Sequence, residues 1–64
     1  MKPQNLEYKK KYKRTGNKPN KVVYMGREGC KYWFFQYIKA GKEEKLGNRF
    51  WMSESQIEKL IEEI

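Results

Sequence analysis

Sixty-four residues make one small domain, whose core supplies only about 3–5 kcal/mol unless something staples it. Cys30 is the single cysteine and there is no histidine, which excludes an internal disulfide and a histidine-containing zinc site. The formal charge is +7, and the eight acidic residues are all glutamate, so the usual acid–base and nucleophilic constellations are missing and an enzyme is not expected.

The charge is unevenly placed. Residues 54–64 balance to −3 and the other fifty-three to +10, a basic body that suits a polyanion. No apolar run approaches the ~18 residues of a membrane span and no signal-peptide core follows Met1. With one free cysteine the expectation is a cytoplasmic protein, in a bacterial nucleoid or a host cell, with neither membrane nor cofactor. Cys30 beside Lys31 has no base in the sequence to make it a nucleophile, and reads as a small strand residue.

Residues 1–21, "MKPQNLEYKKKYKRTGNKPNK", hold eight Lys and Arg, one Glu and two Pro, with few apolar side chains. Such a segment buries too little to offset its ordering entropy, which predicts a disordered basic arm over residues 1–20, closed by "TGNKPN". From Lys21 the pattern becomes β-prone. "KVVYMG" reads as a strand ending at the "GREG" turn, and "CKYWFFQYIK" as the longest strand. "AGKEEKLGN" reads as a polar loop and "RFWM", residues 49–52, as a short third strand. In "SESQIEKLIEEI" the apolar residues Ile57, Leu60, Ile61 and Ile64 recur at helical spacing, with Ser53 and Gln56 forming a capping box. Glu62 and Glu63 stand at the wrong end for the helix dipole.

The expected fold class is therefore α+β: a three-stranded antiparallel sheet packed against one C-terminal helix, spanning residues 21–64, behind a flexible basic arm. Alternation puts Lys31, Trp33, Phe35, Tyr37 and Lys39 on one face of the long strand, with Arg49 and Trp51 from the next. Burying those cations would be costly. The helix is accordingly expected on the other face, over Tyr32, Phe34, Ile38, Phe50 and Met52, with Gln36 an awkward member. The open face then mixes tryptophan with Lys and Arg, as an interaction site does. The rival reading makes Trp33 and Phe35 the core.

This layout resembles plant AP2-type DNA-binding domains and the N-terminal arm-binding domains of phage and transposon tyrosine integrases. "RFWM" is similar to the R-x-W-L third strand of AP2 domains. "YIK" at 37–39 stands where those domains carry an acidic-apolar-basic triplet, and "GKEEKLG" at 41–47 resembles an integrase arm-domain turn. The resemblance implies a viral or mobile-element protein whose sheet enters the DNA major groove, with Tyr37, Lys39, Arg49 and Trp51 at the contact.

The expected partner is nucleic acid, DNA rather than RNA and double-stranded DNA first. Lys9, Lys10, Lys11, Lys13 and Arg14 would meet phosphates, unless the arm is a solvated tail or a localisation signal. Arg27, Lys31 and Lys39 would fix the sheet over the backbone. Arg49 would read a base edge, and Trp33 and Trp51 would pack on sugars, methyl groups or bases. The alternative is a small protein-interaction or inhibitor domain, viral-type or SH3/chromodomain-like, whose aromatic face binds a protein partner.

Overall fold

Two glycines at positive φ build the sheet. In the computed structural model, which describes residues 1–16 and 21–64, β2 (Lys21–Glu28) turns through Gly29 and Cys30 into β3 (Lys31–Ala40). β3 then turns through Gly41 and Lys42 into β4 (Glu43–Met52). Gly29 and Gly41 have φ of 61° and 63°, the left-handed backbone that suits the first position of a two-residue hairpin. The loop expected over residues 40–48 is thus mostly strand. β4 is an outer strand, where charged residues such as Glu43, Glu44 and Lys45 are tolerated and deter pairing with another chain.

The expected three-stranded sheet with a C-terminal helix and a flexible arm is corrected to a mostly β architecture. Among the described residues, five antiparallel strands form one sheet in the order β4-β3-β2-β1-β5, with a single short α-helix. β1 (Lys11–Arg14) comes from the segment expected to be an arm, and pairs with β2 on one side and β5 (Ile61–Glu63) on the other. Apolar area alone does not decide whether this segment orders. A strand inserted between two others satisfies backbone groups on both edges, and Tyr12 adds a fully buried ring whose hydroxyl accepts the Glu7 amide at 2.7 Å. Before β1, a 3-10 turn at Pro3–Asn5 buries Pro3, and Met1 and Leu6 pack on the core. The Lys9 amide donates to the Tyr24 carbonyl at 2.7 Å. Of the expected arm terminus, residues 17–20 lie outside the described residues.

α1 (Glu54–Leu60) follows β4 directly. Its capping box forms as the spacing predicts: the Ser53 hydroxyl accepts from the Gln56 amide and the Gln56 side chain from the Ser53 amide. The helix is shorter than its periodicity predicts. Ile61 closes it and enters β5, leaving Ile64 70% exposed. Glu62 then stands opposite Lys13 and Glu63 opposite Tyr12, so these acids belong to a strand pairing and not to a helix end.

One side of the sheet carries the core: Tyr12, Val22, Tyr24, Tyr32, Phe34 and Met52, closed by Ile57 and Ile61. Phe50 and Leu60 are partly buried against it, and Phe34 stacks on Phe50 at 5.8 Å. The helix therefore covers the face that charge selected, but Ile38, expected in this core, lies outside the packed cluster. Arg14 on β1 lies 5.0 Å from the Phe50 ring on β4, although two strands separate them, a gap of about 14 Å in a flat sheet. The sheet curls, making the core side concave. Gln36 fits because it leaves the packed zone at a bulge. Phe35 pairs with Arg49 and Tyr37 with Leu46, so Gly47 and Asn48 oppose Gln36 alone. Its side-chain oxygen accepts the Asn48 amide at 3.4 Å.

If β1 is part of the fold, Tyr12→Ala should cost about 3–5 kcal/mol, enough to unfold much of a domain this size. Urea unfolding followed by circular dichroism measures it; a loss under about 0.5 kcal/mol, typical of a surface position, would contradict the assignment.

Candidate nucleic-acid interface

Alternation sends every second side chain of the strands to the convex side. One row crosses four strands: Lys11 pairs with Val23, Val23 with Phe35, and Phe35 with Arg49. The next row joins Gly26, Trp33 and Trp51. Beyond it Lys31 stands opposite Glu28, and at the far end Lys39 stands opposite Glu44. Cations lie against the rings. The Arg49 guanidinium is 4.3 Å from the Trp33 centroid, the Lys31 ammonium 5.2 Å from Trp51, and the Lys11 ammonium 4.4 Å from Tyr37. Ring faces attract these charges, and the pairing keeps each cation over the sheet. Trp51 is 46% exposed and Leu46 50%.

A hollow of about 270 Å³ opens beside Trp33, lined by Met25, Gly26, Arg27, Glu28, Trp33, Phe35 and Arg49. Its origin is a bulge. Tyr24 pairs with Phe34 and Gly26 with Trp33, leaving Met25 as the extra residue, and Gly26, at φ 115°, has no side chain to fill the space next to the indole. The Trp33 indole nitrogen is buried with no acceptor among the described residues. A larger hollow of about 530 Å³ lies where the β2–β3 turn meets α1. Glu54 and Glu58 line it beside Arg27, which makes it unsuited to a polyanion.

The β1 end of the convex face is the more crowded with charge. Lys13 stands between Lys21 and Glu62, and the direct Lys13–Lys21 opposition is unfavourable. Lys11 also reaches the Tyr37 hydroxyl at 3.3 Å. The Glu44 carboxyl is held below its ordinary value, chiefly by a hydrogen bond from the Tyr37 hydroxyl, then by Lys11, with Lys39 contributing less. Glu44 is the acidic counterweight to this cluster.

Of the residues expected to make contacts, the fold brings Lys11, Lys13, Lys31, Trp33, Tyr37, Lys39, Arg49 and Trp51 to the convex side. Tyr37 is buried there under Lys11, so its ring is wall and not contact surface. Four expected residues fall elsewhere. Arg14 covers Phe50 on the concave side, and Arg27 lies opposite Tyr32, its Nε donating to the Gly29 carbonyl at 2.7 Å. Lys9, with φ 66°, and Lys10, 3.5 Å from Glu7, precede the strand. Lys21, Met25 and Gly26 join the surface without having been expected. Lys21 needed β1 as a neighbour to be noticed, and the bulge breaks the alternation that would have placed Met25 and Gly26.

No protein-family model, curated protein or solved structure matches the chain. Among the described residues, no helix is long and apolar enough to cross a membrane, and no group of three or more Cys, His, Asp or Glu could hold a metal ion.

Because Glu44 has a lowered value in the folded state, its contribution to stability is present above the ordinary value of 4.5 and is lost as pH falls through the folded value. Between about pH 6 and about pH 3 the melting temperature of Glu44→Gln should therefore fall less than that of the parent. Parallel acid limbs would remove Tyr37 and Lys11 as its partners.

Proposed function

We propose that the domain binds nucleic acid through the convex face of β1 to β4. The observation that carries this reading is the Trp33–Trp51 cross-strand pair with Arg49 and Lys31 lying against its rings. A polyanion with planar bases offers partners to both components, phosphate to the cations and ring faces to the indoles. Lys11, Lys13, Lys21, Lys31 and Lys39 meet phosphates and release counterions. Arg49, exposed on the outer strand β4, reaches a base edge through its paired donors. Trp51 supplies the exposed apolar contact. The acidic side chains Glu54 and Glu58 on α1 keep the polymer off the concave side.

A second reading has its own observation. Beyond its charged start, the outer edge of β4 pairs with no other strand among the described residues, and Leu46 and Trp51 are exposed there, a combination that admits an added peptide strand from a protein partner.

Fluorescence anisotropy with labelled DNA should show affinity falling about tenfold or more between 50 and 200 mM salt. Arg49→Ala should flatten preference among sequences, whereas Lys11→Ala and Lys13→Ala should weaken all sequences alike, with Lys59→Ala on α1 neutral. Substitution is the proper test of the lysines, because removing residues 1–14 would remove a strand. No binding at low salt would overturn this reading in favour of the peptide edge.

A further inference from the structure

We infer that the hollow beside Trp33 receives a single unstacked base of a single-stranded nucleic acid. This inference rests on the nucleic-acid reading above and adds to it the form of the strand. Three features of the hollow converge. Its space exists because the β2 bulge puts a glycine opposite Trp33, and a Cβ built on Gly26 would meet nothing within 4 Å. It is lined by Met25, Trp33 and Phe35 together with two cations, Arg27 and Arg49, and one acid, Glu28. Its volume of about 270 Å³ lies at the small end of ligand sites, below what a drug-sized molecule needs.

The chemistry matches a base better than an isolated anion or an apolar side chain. Stacking on Trp33 or Phe35 is tolerant of sequence, as every base has a π-face. Arg49 already lies against Trp33. A guanidinium drawn from the ring to a neighbouring base edge uncovers the face of Trp33 for stacking. A duplex cannot use the hollow without taking a base out of its stack, which costs a few kcal/mol. A free strand has already unstacked much of that surface.

The test compares octathymidylate with an octamer of abasic deoxyribose phosphates, which carries the same backbone charge. The full chain should bind octathymidylate at least tenfold more tightly than the abasic strand, and more tightly than a duplex of the same length. In a ¹H–¹⁵N spectrum the Trp33 indole cross-peak, assigned by its loss in Trp33→Phe, should shift with octathymidylate and stay in place with the abasic strand. Gly26→Ala puts a methyl into the hollow and Met25→Ala removes a wall; each should close most of the tenfold gap, and Met25→Ala serves if the backbone at Gly26 does not tolerate a side chain. Equal binding of the two octamers, or a gap that survives Met25→Ala, overturns the inference and leaves the nucleic-acid reading standing. Failure of both octamers and the duplex to bind at low salt overturns both.

Discussion

The strand Lys11–Arg14, held between β2 and β5, is the constraint on which the rest depends. Without it β5 has no neighbour, and α1 would end in water instead of leading back into the sheet. With it, Tyr12 enters the core beside Val22 and Ile61, and Thr15 reaches the Leu60 carbonyl with its amide at 2.8 Å. The two chain ends are therefore bound to each other through one sheet. The 3-10 turn and the helix both occupy the concave side. That leaves the convex side uncovered by any other part of the described chain.

Charge and shape act together in this choice of sides. The concave side takes rings whose polar atoms can be satisfied or kept neutral: burial pushes the Tyr24 hydroxyl above its ordinary value, with Tyr32 adding to the effect. The convex side takes the cations, which would be costly inside. A cluster such as Lys11, Lys13 and Lys21 does nothing for folding by itself, since like charges in adjacent strands repel. Glu62 and Glu44 relieve part of that repulsion. A polyanion relieves it further, so the same arrangement that costs stability in the free domain favours a charged partner.

Much of this was readable from single stretches of sequence. The i, i+3, i+4 spacing of Ile57, Leu60 and Ile61 and the Ser53–Gln56 box locate the helix, and the phase of Arg49 against Phe50 names the face it covers. What was hidden depends on partners remote in sequence. "KYKR" becomes a strand only because β2 and residues 61–63 flank it, and its lysines look like a solvated tail until both neighbours are known. The Glu-rich start of β4 reads as loop because edge strands follow composition rules opposite to those of central ones. Bulges at Met25 and at Gly47–Asn48 shift register without a local signal beyond a glycine. The first of them creates the hollow, and so the alternation rule fails at the position of most interest.

Amide hydrogen exchange across residues 11–14 is the most direct measurement of this account. If the N-terminal segment is an inner strand that ties β5 and α1 to the hairpins, those amides should be protected to the same free energy as the amides of Phe34 and Phe35 on β3, which lies between β2 and β4, the level of global unfolding. Exchange at the rate of an unstructured chain, with the hairpin amides still protected, would show an open three-stranded platform, and the one-sided surface argued from a closed core would no longer follow.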